Sequence, residues 1–336
     1  MKTIKQLLTL TLIGLSLAVI GQKNSGPYKL VKEIKIDGDG FWDYLSVDQN
    51  AGHLFLSHGT IVQILDLTTE KVIGVIPNTT GVHGIAIELA AGKGYISDGR
   101  IDSITVIDCK TLATIGKIAS TGRNPDAIIY DPFSKRVCAF NGRSKNITVI
   151  DVVADKVVGT IAVSGKPEFA VSDEKGKMFV NIEDKSTIVK FDPVTMKVDA
   201  EWPLAPGKEP SGLAYDKKNQ RLFSACSDSK KVVVMNARNG KVIQVLPMGS
   251  GCDGLIFIPE DKNIITSNGE GTLTVIHQDN PDHYTVIQTL TTKKGARTIT
   301  FNPATGKIYL PTADVKMENG KRSVTPGSFE VLVVSK

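Results

Sequence analysis

One hairpin-like motif recurs six times in this chain at a nearly constant interval. Each copy is an apolar run rich in β-branched residues, a polar turn and a second apolar run, as in ITVIDCKTLATIGKI (104–118). The residue that follows the first run marks a spacing of 41 to 44 residues: Asp66, Asp108, Asp151, Asp192, Asn236 and His277. Because β-branched residues flank a short polar turn, every copy predicts a β-hairpin.

A second motif of the same kind lies before these hairpins, as in DAIIYDPFSKRVCAFN (126–141). Its seven copies start 40 to 44 residues apart, at Asp43, His83, Asp126, Glu168, Ser211, Asp253 and Arg297. A complete repeat therefore holds two hairpins, and we name its four strands A to D in chain order. Four strands in every 40 to 45 residues or so are typical of a β-propeller blade.

The two ends of the chain complete the count of blades. The seventh repeat has strands A and B and a last strand, EVLVVSK (330–336), but no fourth strand. YKLVKEIKI (28–36) matches the D strands and precedes the first A strand. We therefore predict an all-β, seven-bladed β-propeller over 28–336, with four antiparallel strands per blade. The N-terminal strand closes the ring by pairing in the last blade, which removes two open sheet edges.

The ends of the B strands carry a recognisable pattern. They read FLSH, YISD, CAFN, FVNI, FSAC, ITSN and YLPT, and TVID occurs in two C strands. In these motifs residues 28–336 resemble the YVTN-repeat (YncE-like) β-propeller family. The resemblance implies that the A strands line a central channel and that the D–A and B–C loops lie on one face, where propellers commonly bind ligands. It implies no particular chemistry.

The N-terminus has the pattern of a secretory signal. Lys2 and Lys5 precede an apolar run over 7–20, which is shorter than the roughly 20 residues of a membrane-spanning helix. We interpret 1–21 as a cleavable signal peptide and expect a periplasmic or secreted protein with no membrane span in the mature chain. An uncleaved N-terminal anchor is the alternative. We expect the mature protein to be a monomer.

Composition and known motifs exclude little beyond this. The chain has 40 Lys and Arg residues against 35 Asp and Glu residues, and the surplus is spread along the sequence, so it does not indicate a nucleic-acid ligand. There is no nucleophile elbow, zinc-protease motif or phosphate-binding loop.

The chain has four cysteines, and none of them forms a C-x-x-C motif. We expect them to be unpaired and buried. A disulfide between Cys226 and Cys252 is the alternative.

Comparison of the seven blades selects candidate functional residues. A polar position that differs from blade to blade is not dictated by the packing of the blade. Two such positions are predicted to lie on the same face: the first residue of the second motif and the last residue of strand B. The candidates for ligand binding at these two positions are Asp43, His58, His83, Asp98, Asp126, Glu168, Asp253 and Arg297.

We call the seven starting residues of the second motif the A1 ring. Four of them are carboxylates around a narrow channel, and like charges at close range raise carboxylate pKa values. Such a ring suits a divalent metal such as Ca²⁺ or Zn²⁺, with Asp43, His83, Asp126 and Glu168 as the predicted ligands. The alternative is a set of solvated or paired groups in a wet channel. The acidic ring argues against a single-stranded nucleic acid as ligand.

Three further features belong to the same predicted face. The aromatic residues Phe41, Trp42 and Tyr44 form either a stacking platform or a plug of the channel. The B–C connection over 312–329 is unusually long, and we interpret it as a lid or docking arm. Four glycines follow strand B, where we expect tight turns with positive φ: Gly59, Gly99, Gly142 and Gly269.

The function that these observations favour is binding. We predict an exported propeller that binds a small ligand, a metal or a protein partner on its channel face, with no catalysis established. The alternative is a metal-assisted hydrolase, lactonase or lyase that uses the A1 ring. Convergence of three or four ring residues on one point would favour the enzyme, whereas widely separated groups would favour a scaffold.

Overall fold

The computed structural model describes residues 26–38, 40–318 and 320–336. The interpretation of 1–21 as a signal peptide therefore falls outside the described residues. Within them, the regular structure consists of β-strands and one 3-10 helix, η1 (Glu183–Lys185). None of the helical structure in these ranges is long and apolar enough to cross a membrane.

The chain enters the fold through a strand that belongs to the last blade. This strand is β1 (Lys29–Lys35). Blades 1 to 3 follow as β2 (Trp42–Asp48), β3 (His53–His58), β4 (Ile61–Asp66), β5 (Lys71–Ile76); β6 (Val82–Glu88), β7 (Lys93–Asp98), β8 (Ser103–Asp108), β9 (Thr114–Ala119); β10 (Pro125–Asp131), β11 (Arg136–Asn141), β12 (Asn146–Asp151), β13 (Lys156–Ala162).

Blades 4 to 6 have the same four-stranded order. They are β14 (Pro167–Ser172), β15 (Met178–Ile182), β16 (Thr187–Asp192), β17 (Lys197–Pro203); β18 (Pro210–Asp216), β19 (Arg221–Cys226), β20 (Lys231–Asn236), β21 (Val242–Pro247); β22 (Cys252–Ile258), β23 (Asn263–Asn268), β24 (Thr272–Asn280), β25 (His283–Thr291). Blade 7 contains β26 (Thr300–Asn302), β27 (Lys307–Thr312) and β30 (Glu330–Ser335), and between the last two the chain forms a separate hairpin of β28 (Val315–Glu318) and β29 (Lys321–Val324).

Blade 7 is closed by the N-terminal strand. Its strands lie in the order β26, β27, β30, β1, so β1 is the outermost strand of the sheet. Lys35 pairs with Glu330 and Lys29 with Ser335, in an antiparallel register. The inner strand β26 contacts β2 of blade 1, and this contact joins the two ends of the ring. The predicted seven-bladed propeller and its closure are confirmed.

The hydrophobic core is divided among the blade interfaces. The described residues form seven buried apolar clusters, one between each pair of neighbouring blades. The alternation of the strands explains this, because residues on both faces of each sheet pack against the adjacent sheets. The interface of blades 7 and 1 includes Ile34 and Ile36 from the N-terminal segment and Phe329 from the last blade.

The marker residues of the repeat stabilise the outer turns. Asp66, Asp108, Asp151 and Asp192 each accept two backbone N–H groups from the residues two and three positions ahead. A short carboxylate that bonds its own downstream backbone is the reason that Asp recurs at this position. All four cysteines are free and buried, as expected, so Cys226 and Cys252 form no disulfide.

Candidate functional site

The A1 ring residues lie where the inner strands are irregular. In each of blades 1 to 6 the pairing of the inner strand with its neighbour shifts register within its first residues, as between Trp42 and Leu45 or between Val82 and Ile85. Such bulges re-aim side chains at the rims of sheets. The ring residues therefore leave the plane of their blades at the channel mouth.

His83 lies between two carboxylates at this mouth. Its Nδ1 is 2.7 Å from Oδ2 of Asp43 and 3.6 Å from Oδ1 of Asp126. Burial lowers the pKa of His83, but the hydrogen bond that its imidazole donates to Asp43 and the charges of both carboxylates outweigh this effect and raise the pKa to about 9. The imidazole is therefore cationic at neutral pH in the metal-free protein.

Two more cations hold the remaining acidic groups. Arg297 donates from Nε to Oδ2 of Asp253 at 2.9 Å, and its Nη2 lies 3.5 Å from Oδ1 of Asp43. Lys166 contacts Oε1 of Glu168 at 2.6 Å and also bonds Glu183. Because each cation lies against two acidic residues, the metal-free ring is paired internally, and it does not need an added ion to keep its carboxylates apart.

The pKa values of the ring acids respond to this crowding. Burial, partly offset by the charge of His83, raises the pKa of Asp126 to about 6. Burial and the charge of Asp126 raise the pKa of Glu168 to about 9, although Lys166 acts against them. Burial and Asp43 likewise raise the pKa of Asp253. The folded protein therefore binds protons at the ring more tightly than separate carboxylates would.

Tyr44 forms the floor of the mouth. Its side chain is 8% exposed and packs on Phe169, with ring centroids 5.2 Å apart. Burial raises the pKa of its hydroxyl, and the charges of Asp253, Glu168, Asp43 and Asp126 raise it further. The Tyr44 hydroxyl is therefore within range of the charges of the ring carboxylates, and within the described part of the chain no side chain or backbone group hydrogen-bonds it.

The channel below Tyr44 is apolar. A cavity of about 190 Å³ lies in the channel, with Tyr44 as one of its lining residues. Its walls are formed mainly by aliphatic side chains of the inner strands and include Ile85, Ile128, Leu255, Ile256 and Ile299. Of the two predicted roles for the aromatic residues, the plug describes Tyr44, whereas Trp42 is buried in the core and Phe41 stays exposed.

A pocket of about 380 Å³ opens beside the ring. We call it the mouth pocket, and it is lined by Gly40, Phe41, Trp42, Asp43, Gly59, Thr60, Gly81, Val82, His83, Arg100 and Arg297. Three of these residues are cationic and one is acidic. The guanidinium of Arg322, from the β28–β29 hairpin, lies 5.6 Å from the centre of the Phe41 ring, so the hairpin reaches the edge of the pocket.

His58 and Asp98 have partners inside their blades. His58 is 1% exposed, hydrogen-bonds Gln63 and stacks on Phe329. Asp98 is fully buried, accepts hydrogen bonds from Thr105 and Ser103 and pairs with Lys117. Burial raises the pKa of Asp98. The structure brings Asp43, His83, Asp126, Glu168, Asp253 and Arg297 to the mouth and places His58 and Asp98 in the blade interior.

Three residues at the mouth were not among the eight ligand-binding candidates chosen from the sequence. Lys166 pairs with Glu168, Arg100 lines the mouth pocket, and Tyr44 was grouped with its aromatic neighbours only. A signal for Lys166 existed. It lies two residues before the A1 position, and the other blades have Phe41, Gly81, Asn124, Glu209, Gly251 and Gly295 there.

Sequence comparison assigns no family, whereas structure comparison identifies the fold. No protein-family model matches the chain, and no curated protein matches it. A solved structure titled Kuenenia stuttgartiensis hydrazine synthase is 15% identical, with a TM-score of 0.72, over 87% of this chain and 97% of that chain. The WD40 repeats of RRP9 are 8% identical, with a TM-score of 0.76, over 92% and 98% of the two chains. U3-55K is 7% identical, with a TM-score of 0.76, over 92% and 99%.

These similarities concern the fold alone. At identities of 15% and below, the shared feature is the ring of four-stranded blades, and it covers almost the whole of each chain. The same fold supports many unrelated functions. What the protein binds therefore has to be argued from its own residues at the channel mouth.

Proposed function

We propose that this propeller is a binding protein for a small organic anion, held in the mouth pocket. The observation that carries the proposal is Arg100. Its side chain lines the pocket, and no acidic group within the described residues pairs with it. Arginine presents a planar fork of donors that fits a carboxylate or phosphate in bidentate fashion.

The rest of the pocket supports the same ligand class. Arg297 and the cationic His83 lie in the same wall, and Asp43 is already shared between them. Phe41 is exposed beside them and offers an aromatic surface to a planar ligand. A pocket that combines a few convergent polar groups with an apolar wall is the usual form of a small-molecule site.

Thermal shift measurements test this proposal. We expect the melting temperature to rise with benzoate or citrate at millimolar concentration, because a ligand that binds only the folded state stabilises it. Arg100→Gln should abolish the rise and leave the melting temperature of the free protein unchanged. Arg238→Gln, which removes an exposed arginine from an outer turn, is the matched control and should respond like the wild type. An equal response of Arg100→Gln and wild type would contradict the proposal.

A divalent metal is the second candidate, and a specific geometry favours it. One ligand atom each from Asp43, His83 and Asp126 lie within 4.8 Å of one another. A histidine with two carboxylates is a donor set that suits Zn²⁺. Glu168, the predicted fourth ligand, is not part of this group and is held by Lys166. A bound metal would supply a Lewis acid, and together with the convergence of these three ring residues this supports the hydrolase alternative.

Elemental analysis distinguishes the two candidates. The anion proposal expects no stoichiometric metal in the purified protein and a thermal shift with carboxylates that survives treatment with a chelator. The metal candidate expects about one equivalent of metal, lost in Asp126→Asn. That variant leaves Arg100 and Arg297 in place, so the carboxylate response should persist in it if the anion proposal is correct.

We also propose that the protein is exported and belongs to the YVTN-repeat propellers. The basic and apolar pattern of 1–21 supports export, and the strand-end motifs support the family. Secretion of the full chain with cleavage near Gly21 would be seen by mass spectrometry of the mature N-terminus. Retention of an intact N-terminus would contradict the signal interpretation.

A further inference from the structure

Three arginines on the channel face stand apart from the other arginines of the chain. Arg100, Arg123 and Arg143 are exposed, and their side chains have no hydrogen bond, ion pair or ring contact within the described residues. The chain has eight arginines in all. The other five have side-chain partners: Arg136 with Asp151, Arg221 with Asp282, Arg238 with Gln220, Arg297 with Asp253 and Arg322 with Phe41.

The three residues, which we call the arginine rim, belong to neighbouring loops of blades 2 and 3. Arg100 and Arg143 follow strands β7 and β11, and Arg123 lies in the loop that enters blade 3. The loops brace one another, because the N–H of Arg143 donates to the carbonyl of Arg123 at 3.3 Å. The N–H of Arg123 also donates to Oγ of Ser144 at 2.7 Å. The backbone under the rim is therefore fixed before any ligand arrives.

Comparison of equivalent positions shows that the blade does not require these arginines. Two residues after the end of strand B, the seven blades have Thr60, Arg100, Arg143, Asp184, Asp228, Glu270 and Asp314. Blades 2 and 3 are thus basic where blades 4 to 7 are acidic. The next basic residue along the rim, Lys145, is paired with Asp184 at 2.8 Å, and this pair marks the border between the two sectors.

We infer that the arginine rim is a docking surface for a short, acidic, extended segment of a partner protein. Guanidinium groups on fixed loops can each donate two parallel hydrogen bonds to a carboxylate. The surface spans two blades, and only Arg100 lines the mouth pocket, so the ligand is longer than a molecule that fills the pocket. Interfaces of this kind gain specificity and association rate from complementary charge.

A nucleic acid fits the face less well. A continuous polyanion needs a basic track with exposed aromatic side chains for its bases. Beyond the rim it would meet Asp184, Asp228 and Glu270, which repel phosphate. A peptide with a few carboxylates can end at the border of the basic sector and avoid them.

Fluorescence anisotropy with labelled peptides tests the inference. The probe is a fluorescein-labelled decapeptide of alternating Glu and Ser, at about 50 mM salt so that screening is moderate. The same peptide with Gln in place of Glu is the uncharged control, and a labelled oligothymidylate represents nucleic acid. We expect saturable binding of the acidic peptide only, and binding at least about tenfold weaker in Arg123→Gln/Arg143→Gln.

The control variant removes the same charge elsewhere. Arg238→Gln/Lys241→Gln neutralises two exposed cations in an outer turn of blade 5 and should bind the peptide like the wild type. Equal binding by both double variants, or no saturable binding by the wild type, would overturn the inference. Tighter binding of the oligothymidylate, lost in Arg123→Gln/Arg143→Gln, would overturn it in favour of a nucleic acid.

The inference goes beyond the small-anion proposal and shares only Arg100 with it. Neither double variant changes a residue of the mouth pocket. The thermal shift with citrate or benzoate should therefore survive in Arg123→Gln/Arg143→Gln. If the wild type shows no such shift, the small-anion proposal is contradicted. If the wild type does not bind the acidic peptide, the arginine-rim inference is contradicted.

Discussion

Carboxylates from two other blades stabilise the protonated form of His83. Asp43 comes from blade 1 and Asp126 from blade 3, and the imidazole between them is the cation that this group of acids requires. A metal at the same place would have to displace that proton, so a protonated His83 and a metal ion compete. The state of one side chain thus decides which of the two candidate ligands the mouth can take.

Removal of Asp43 should lower the pKa of His83. In Asp43→Asn the imidazole loses its closest carboxylate, and we expect its pKa to fall from about 9 toward the ordinary value of 6.5. Nitrogen-detected NMR of the metal-free protein between pH 5 and 10 or so measures the titration directly. Asp228→Asn, an exposed acid on the same face, is the control and should leave the His83 titration unchanged.

Position 99 needs a glycine because His83 lies against it, and not because the backbone there has a positive φ. The expectation of positive φ is right for Gly59, but φ is not positive at Gly99, Gly142 or Gly269, so it is wrong for these three. A Cβ at Gly99 would lie 2.7 Å from Cδ2 of His83 and 3.1 Å from the carbonyl oxygen of Pro125. The residue is small because the next inner strand passes directly against it.

Gly99→Ala should therefore disturb the site as well as the fold. We expect a loss of about 2 kcal/mol in the free energy of unfolding, which is typical of forcing an extra carbon into a packed place. We also expect a changed His83 titration. Gly142→Ala is the matched control, because its nearest atom is the flexible Lys166 side chain at 3.5 Å. Equal effects of the two substitutions in urea denaturation would refute this explanation.

At the scale of whole elements, β1 and the β28–β29 hairpin have opposite roles. The strand β1 covers the edge of β30 and brings Ile34 into the interface of blades 7 and 1. The hairpin pairs with no blade strand in the described chain, and its residues Val315 and Met317 are exposed. The ring therefore depends on the strand for closure but not on the hairpin.

Deletion of 26–36 should lower the melting temperature by more than about 10 °C and cause aggregation. The reason is that an uncovered β30 exposes a row of unpaired backbone groups together with a buried apolar face. Replacement of 315–323 by a short Gly-Ser linker, which keeps Val324 packed against the core, is the control and should leave the melting temperature nearly unchanged. Differential scanning calorimetry with size-exclusion chromatography checks both, and a truncated protein that melts like the full chain would contradict the closure.

The sequence predicted the elements better than the site for a physical reason. Each blade repeats one local pattern, so strand positions and the missing fourth strand could be inferred from spacing alone. The environment of a side chain at the mouth depends on residues from other blades. His58 is covered by Phe329, and Glu168 is held by Lys166 from the loop before its strand. Phe329 is far from His58 in the sequence, so the blade pattern did not indicate their contact, whereas Lys166 lies two residues before Glu168 and could have been noticed as an exception at its position in the blades.

For the molecule as a whole, two groups of acids act on stability in opposite directions. The turn residues Asp66, Asp108 and Asp151 accept backbone N–H bonds, which lower their pKa values. Their contribution to stability is present above the unfolded pKa of 3.8 and is lost as the pH falls. The groups at the channel mouth have raised pKa values, so their contribution has the opposite dependence.

The free energy of unfolding should therefore be highest in mildly acidic solution and should decrease as the pH rises toward 9. The folded-state pKa values of Asp126, Glu168 and His83, about 6, 9 and 9, exceed the ordinary values of 3.8, 4.5 and 6.5. Since each pKa is raised, the stabilisation is complete below the ordinary value and is lost as the pH passes the raised one. Urea denaturation from pH 5 to pH 9 or so measures this dependence.

The variant Glu168→Gln tests how much of the pH dependence of the free energy of unfolding comes from the channel mouth. Glutamine resembles the neutral carboxyl group that the folded protein favours and cannot ionise, so the variant should lose less stability than the wild type between mildly acidic and alkaline pH. Glu260→Gln, in an exposed outer turn, is the control and should follow the wild-type slope. A stability that stays constant up to pH 9 or so, or a steeper slope in Glu168→Gln, would mean that the crowded mouth does not control the alkaline stability of the propeller.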